Sequence, residues 1–421
     1  MNAKHLFKSV TMSLSAMLLA GTCYAGQSGS AEVVVAQLDG LSGAFANIGE
    51  QQRLAMQAAI EEINAKGGAN GGKFKLVSID GKGKPQETLN AFRRAVDEGI
   101  RIVIQGNSSS VAAALNEAVR KYNKRHPDDP VLYLNHSAVS NELTGKDCNF
   151  WQFRFDASVA MKVKAVMTSL ASDKGVQKIY LINQDYSLGH QTSADAKNTL
   201  SKIRPDVQIV GDELHPVGQI KDFSPYVSKI AASGADAIFT ANWGNDLALL
   251  AKAIKDAGLK VRIYTFYGGG YGAPAAMGEA AIGRVIQVSE WHENIQPNPI
   301  EDFAVNYEKK TGHDWLFHRI RSMFLLTAEA IKSAGSQDIE KIALALEDAT
   351  VDAGTGPVRV RKKDHQVLQN LYISKAVKMA SAGGPKEAKY DAEKSGTAFV
   401  TEALIESPDT VVETSCQMKR P

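Results

Sequence analysis

Short, almost unbroken apolar runs alternate along the chain with longer segments whose apolar residues recur every three or four positions. The run Val33-Val34-Val35 opens a strand; residues 52–63 then place Ala55, Ala59 and Ile63 on one helical face, and Gly67-Gly68 ends that helix. Strands over 74–79, 100–104 and 131–134 follow, separated by helices over 86–97 and 110–122. The rhythm then restarts: helix 159–170, strand 178–182, helix 192–203, strand 207–210, helix 225–232, strand 236–240, helix 247–257, strand 262–265. Strands that are apolar on both faces and alternate with helices belong to parallel sheets covered on both sides. The predicted fold is therefore α/β, two doubly wound, Rossmann-like lobes of similar layout. Residues 299–349 read as nearly all helical, 358–360 and 371–374 as late strands, and 381–385 as irregular.

The first 25 residues obey a different pattern. Lys4 and Lys8 precede an apolar stretch over 10–20, and Thr22-Cys23-Tyr24-Ala25 offers a small-residue cleavage site. That is a secretory signal peptide over 1–25, too short to span a bilayer. No other segment of the sequence approaches ~20 uninterrupted apolar residues, so the exported protein is expected to be soluble in the periplasm. The chain carries 48 Lys+Arg against 46 Asp+Glu. Lys4 and Lys8 leave with the signal, which contains no acid, so 46 basic groups face 46 acidic ones and the formal charge is zero. No basic footprint remains for nucleic acid.

Removing the signal also removes Cys23, leaving Cys148 and Cys416. An even pair in an oxidising compartment is expected to form a disulfide, tethering the C-terminal tail to the body. Two separate buried thiols are the other arrangement the sequence allows. There is no CxxC or CxxH pair, and His313 and His318 lie five apart, off a shared helical face. No metal and no cofactor are predicted.

Catalytic motifs are absent: no GxSxG elbow, no GxxxxGK[ST] loop and no HExxH. What stands out instead is small polar residues placed just after strands. Asn107-Ser108-Ser109-Ser110 lies between a strand and a helix start, where unpaired backbone N–H groups and serine hydroxyls suit a carboxylate. Ser110 as a plain helix cap is the simpler alternative. Asn135-His136-Ser137-Ala138-Val139-Ser140 follows the next strand at the same sheet edge, where open α/β sheets bind ligands. The second half supplies aromatics at equivalent places: Tyr186 with Leu188, Trp243, and Phe266-Tyr267. The run Gly268–Gly272 is either a loop that lets backbone approach a ligand or a turn. A polar clamp facing an aromatic wall encloses a small molecule with one charged end and an apolar body.

These residues bring a family into view. Leu41-Ser42-Gly43 through Gly49, with Glu62 through Gly68, resembles the opening of type I periplasmic binding proteins, most closely the leucine/isoleucine/valine-binding proteins of ABC importers. The resemblance continues through Gly106 to Ser110, Glu142-Leu143-Thr144, Asp185-Tyr186 with Gly189, Asp222-Phe223-Ser224, Gly234-Ala235-Asp236 and Gly356-Pro357-Val358. It implies two lobes joined by three crossings: 31–155 plus 290–352, and 156–289 plus 353–421. It also implies a monomeric, non-enzymatic periplasmic receptor. Ligand would lie between the lobes, and an inner-membrane complex of permease and ATPase would receive it. By position, Ser108, Ser109 and Ser110 match the loop that holds a carboxylate. Ser137, Ala138 and Val139 match a second ligand loop, and Tyr186, Leu188, Trp243 and Tyr267 line the opposite lobe.

Two positions depart from that pattern. Val139 stands where the leucine-binding members carry a threonine, and Tyr267 where they carry a glutamate that pairs with the α-ammonium. A buried ammonium without a carboxylate partner is costly. An aliphatic or aromatic carboxylate without an amino group, or an amide, therefore fits better than a branched-chain amino acid, unless Glu290 or Asp246 takes the glutamate's place. The family's early disulfide is also missing. A soluble extracellular sensory co-receptor is the rival function, and a secreted α/β hydrolase a more remote one.

Overall fold

The computed structural model describes residues 32–379 and 388–421. The signal segment over 1–25 and the irregular stretch over 381–385 lie outside the described residues.

Buried β-branched runs build the centre of each lobe. In the first, β1 (Val33–Gln37), β2 (Phe74–Ser78), β3 (Ile102–Ile104), β4 (Leu132–Asn135) and β5 (Gln152–Arg154) lie parallel in the order β2-β1-β3-β4-β5. Val35 sits opposite both Leu76 and Ile102. In the second, β6 (Lys178–Gln184), β7 (Gln208–His215), β8 (Ala237–Thr240), β9 (Arg262–Thr265) and β10 (Val285–Ser289) repeat the plan in the order β7-β6-β8-β9-β10. The late strands are divided between the sheets. β11 (Thr350–Asp352), β12 (Pro357–Arg361) and β13 (Gln366–Leu368) extend the first sheet beyond β5, making it eight-stranded. β14 (Leu371–Lys378) and β15 (Thr397–Ile405) add antiparallel edges to the second.

Amphipathic helices cover both faces of each sheet. α1 (Ala46–Ala65) and the later α9 (Glu301–Thr311), α10 (His318–Ala334) and α11 (Ile339–Leu346) close one face of the first lobe. There Met56, Phe324 and Trp315 share a core with Val35 and Ile104. α2 (Pro85–Asp97) and α3 (Ser109–Arg125) close the other face through Phe92, Leu115 and Val119. In the second lobe α4 (Val159–Ser172) and α5 (Ser187–Ile203) cover one face, with α6 (Ser224–Ser233), α7 (Asn245–Asp256) and the short α8 (Ala273–Met277) on the other. Ser158 caps α4 by accepting a bond from Met161 N at 3.2 Å.

The chain passes between lobes after β5, after β10 and between β13 and β14. The last crossing corrects the expected boundary at 353: β12 and β13 stay in the first sheet, because a short strand pattern does not say which sheet edge it will join. α1 also begins six residues earlier than its periodicity predicts. Its first turn packs closely on the backbone, where a Cβ on Gly49 would lie 2.0 Å from the Gly40 carbonyl oxygen.

Beyond α12 (Ser407–Thr410) the tail returns to the first lobe. Lys164 of α4 donates to the Val411 carbonyl at 2.9 Å, Thr414 donates to the Thr144 carbonyl, and Cys416 forms the expected disulfide with Cys148. Among the described residues no helix is long and apolar enough to cross a membrane.

Candidate functional site

The C-terminal ends of β1, β3 and β4 meet at one edge of the first sheet, and a single carboxylate joins them. Asp39, just past β1, is buried. One of its oxygens accepts the backbone N–H groups of Gly106 and Asn107 at 2.9 and 3.1 Å; the other meets His136 Nε2 at 2.9 Å. Burial alone would raise the Asp39 carboxyl. The His136 ring and the two backbone donors outweigh it and hold the group below its ordinary range. His136 is equally enclosed, and it packs so closely that a Cβ on Gly106 would fall within 2.7 Å of its ring.

Around this joint the two polar loops take up distinct roles. Ser108 precedes α3 with φ +71° and ψ 122°, a conformation only glycine adopts without strain. Its hydroxyl lies 2.9 Å from that of Ser110, and both are exposed beside the free N–H groups of the helix start. Ser109 points inward, its Oγ accepting Ser140 N at 3.3 Å and so tying one loop to the other. Ser137 Oγ lies 2.8 Å from His136 Nδ1 and accepts from Arg319 Nε at 2.9 Å. Ala138 and Val139 have buried side chains, Ala138 in the first lobe's core and Val139 in the second's. Their carbonyls accept from Asn135 Nδ2 and from Val159 N.

The opposite wall is aromatic. Trp243, at the loop after β8, donates from Nε1 to the Tyr186 hydroxyl at 2.8 Å. Its ring stacks on Phe45 of the first lobe, centroids 6.1 Å apart and planes at 29°. Phe45 itself lies over Gly83, where a Cβ would strike the ring at 2.3 Å. Nothing in the local pattern marks Phe45, although it sits inside the segment that carries the family resemblance. Leu188 is buried in the second lobe's core. The glycine run is a turn into α8, its Gly269 N–H bonded to Gln287 Oε1 on β10.

Between the walls, on the crossings themselves, lies a cluster of four charges that the sequence does not announce as a group. Asp156 follows β5 and Glu290 follows β10. Lys162 of α4 meets Asp156 at 2.9 Å; Arg319 of α10 meets Glu290 at 2.7 Å and Asp156 at 3.6 Å. Burial would push the Glu290 carboxyl up, but the Arg319 and Lys162 charges overcome it and bring it down to about 2. Tyr267 stands beside them, with Lys162 Nζ 5.5 Å from its ring centroid. Burial, then the Asp156 charge, raises its phenol far above the ordinary value, so it stays a neutral donor. Asp246 is buried beneath the loop after β7, bonded to Gln184 Nε2 and Gly218 N. A cavity of about 580 Å³ lies elsewhere, between Asn141, Lys164, Asp195 and the C-terminal tail, and shares no residue with this group.

The model of a family described as periplasmic binding protein matches residues 32–384. The chain is similar to the Leu/Ile/Val-binding protein homolog 4 of Brucella melitensis, 36% identical over 97% of this chain and 100% of that one. It is also similar to the leucine-, isoleucine-, valine-, threonine- and alanine-binding protein of Pseudomonas aeruginosa, 25% identical over 81% and 89%. Among solved structures, a protein from Brucella ovis with that same set of five amino acids in its name, in a closed conformation, superposes with a TM-score of 0.85. It is 33% identical, covering 93% of this chain and all of the other. A solute-binding protein from Rhodopseudomonas palustris holding 3,4-dihydroxybenzoic acid shares the fold, with a TM-score of 0.75, 18% identity, and coverage of 90% and 98%.

Proposed function

Because the chain belongs to the periplasmic binding protein family, and a structural neighbour is the solute-binding protein of an ABC transporter, we propose that it is a monomeric periplasmic receptor that delivers a small carboxylic acid lacking an α-ammonium group to a permease and ATPase complex. The carboxylate would sit on the Ser108–Ser110 loop, facing two hydroxyls and the positive end of α3, and the apolar body against Tyr186 and Trp243. Lobe closure brings Phe45 onto Trp243 and presents one surface to the membrane complex, an equilibrium that the ligand shifts by touching both lobes.

The observation that carries the reading is the state of the cleft's carboxylates. Asp156 and Glu290 are already neutralised by Lys162 and Arg319, and Asp39 is consumed by His136 and two backbone donors. Among the described residues Asp246, beneath the loop after β7, meets only the neutral donors Gln184 Nε2 and Gly218 N, but at the hinge itself a ligand ammonium would find no unpaired carboxylate, and burying it there uncompensated costs ~3 kcal/mol. A branched-chain α-amino acid is the second reading, favoured by the names of the relatives. A hydrolase is disfavoured although Asp39, His136 and Ser137 lie in a row. Arg319 donates into the oxygen a nucleophile would use.

The test is a thermal-shift panel on mature protein stripped of ligand by unfolding and refolding. It compares leucine, isoleucine and valine with 4-methyl-2-oxopentanoate, 2-hydroxy-4-methylpentanoate and benzoate. Ligand at 100 times its dissociation constant adds ~2.7 kcal/mol of stability, a shift of several degrees. Stabilisation by the deaminated acids supports the reading; stabilisation by the amino acids alone overturns it.

A further inference from the structure

We propose that Asp39 and His136 are positioning residues that fix the hydrogen-bond polarity of Ser137, turning a hydroxyl lone pair toward the cleft and selecting 2-hydroxy acids over 2-oxo acids. The inference rests on the reading that a carboxylate occupies the Ser108–Ser110 loop, and narrows it to a ligand class.

An ionised carboxylate only accepts, so the contact of Asp39 Oδ2 with His136 Nε2 at 2.9 Å requires the proton on Nε2. On this proposal the ring is neutral, Nδ1 is an acceptor, and the Ser137 hydroxyl 2.8 Å away donates to it. A serine oxygen has one proton and two lone pairs. The proton is spent on His136, and one lone pair takes the Arg319 Nε–H at 2.9 Å. Arg319 is held in turn by Glu290 at 2.7 Å. What remains is a single acceptor lobe. Ser137 adjoins the serine loop, since a Cβ on Gly106 would lie 2.6 Å from its backbone nitrogen. The Ser140 N–H bond to Ser109 Oγ joins the two loops as well, and in the proposed complex the group on the carbon next to the ligand carboxylate meets the Ser137 oxygen.

An acceptor at that point rewards a donor on the ligand. A 2-hydroxyl supplies one without bringing charge, and its oxygen can still accept from the Tyr267 phenol, which makes no hydrogen bond to the protein among the described residues. A 2-oxo group offers only lone pairs and faces another. An ammonium donates as well, but arrives where Asp156, Glu290 and Asp39 are already paired.

Substitution at Asp39 should invert the preference. In Asp39→Asn the amide oxygen can keep the Gly106 and Asn107 N–H bonds, while its NH2 now faces Nε2. The ring must then carry its proton on Nδ1 and donate to Ser137, whose own proton is released toward the ligand. Titration calorimetry of the intact mature protein with 2-hydroxy-4-methylpentanoate and 4-methyl-2-oxopentanoate reads the outcome. The native protein is expected to prefer the hydroxy acid by about tenfold, Ser137→Ala to lose the preference, and Asp39→Asn to reverse it. Long-range 15N NMR of the His136 ring supplies a readout that a purely structural role would not move: an Nε2–H tautomer in the native protein and an Nδ1–H tautomer in Asp39→Asn. If Asp39→Asn does not fold, the native tautomer and Ser137→Ala decide. An imidazolium or Nδ1–H ring in the native protein at pH 7.5 overturns the proposal, as does equal binding of the two acids. Binding of leucine but of neither acid overturns the parent reading and this one with it; equal binding of both acids overturns only the relay.

Discussion

Replacing Glu290 by glutamine removes one charge from the crossing between β10 and α9 and leaves Arg319 buried with only the more distant Asp156, at 3.6 Å. In the folded protein the carboxyl is held down at about 2 against an ordinary 4.5. That difference of 2.5, at 1.36 kcal/mol per pH unit, corresponds to about 3 kcal/mol of stability at pH 7. Stranding one member of a buried pair costs a similar ~3–5 kcal/mol. The folded value lies below the unfolded one, so the contribution is complete above about pH 4.5 and drains away as pH falls toward 2. Glu290→Gln should therefore be ~3 kcal/mol less stable than the native protein at pH 7, the gap narrowing as the pH falls to 3. Urea unfolding followed by intrinsic fluorescence at the two pH values measures both. Adding Arg319→Gln to Glu290→Gln should cost less than Arg319→Gln alone, because it removes the stranded charge. A gap that stays constant with pH would refute the reasoning, because it would mean Glu290 contributes through packing and not through its charge.

Ser108→Gly should relieve the positive φ and raise stability by up to about 1 kcal/mol while weakening acid binding about tenfold; Ser108→Ala should weaken binding without the gain in Tm. Phe45→Ala removes a stack between the lobes worth ~0.5–1.5 kcal/mol beyond its buried area, so ligand affinity should fall roughly three- to tenfold and small-angle scattering of the liganded protein should show a more open shape. The paired substitution Cys148→Ser and Cys416→Ser opens a loop spanning 268 residues and should cost up to about 5 kcal/mol in denaturant; added reductant should then have no further effect. Glu293 is pushed up to about 9 by burial and by the Asp314 and Glu308 charges, so the native protein loses stability as pH rises from 4.5 toward 9. Glu293→Gln should melt higher than native at pH 8 and close to it at pH 4.5.

What was legible beforehand follows from the range over which each signal acts. The parallel strands β1, β3, β4, β6, β8 and β9 declare themselves because each is a run of residues buried on both faces, a local property of composition. β5, β10, β13 and β15 do not: β5 and β13 are three residues with Gln or Arg among them, β10 is interrupted by Gln287, and β15 is a partly exposed edge strand that its pairing to β14 identifies. The two polar loops could be placed because chain order and the C-terminal edge of a sheet are enough to locate them. Their inner roles could not. That Ser109 faces Ser140, and that Val139 lends its side chain to the second lobe's core, depends on how far each loop turns after its strand. The hinge charges are the extreme case. Asp156, Lys162, Glu290 and Arg319 spread across more than 160 positions of sequence, each looks like an ordinary surface residue, and only the return of the chain at the crossings brings them together.

That placement bears on how the receptor can be selective at all. A hinge between lobes is where water would enter a cleft, and bare carboxylates there would bind any passing cation. Pairing each of them internally removes that competition and makes the hinge neutral: two acids on the crossings, one base on each lobe. The arrangement also couples the hinge to recognition, because Arg319 holds Glu290 with Nη1 and Ser137 with Nε. If Ser137 meets the ligand as proposed, a change in hinge geometry must move that group, and a ligand bonded to it must in turn pull on the crossing. The same guanidinium that makes the hinge stable makes it responsive, so substitutions at Glu290 should alter ligand affinity as well as stability, whereas the remote disulfide should alter stability alone.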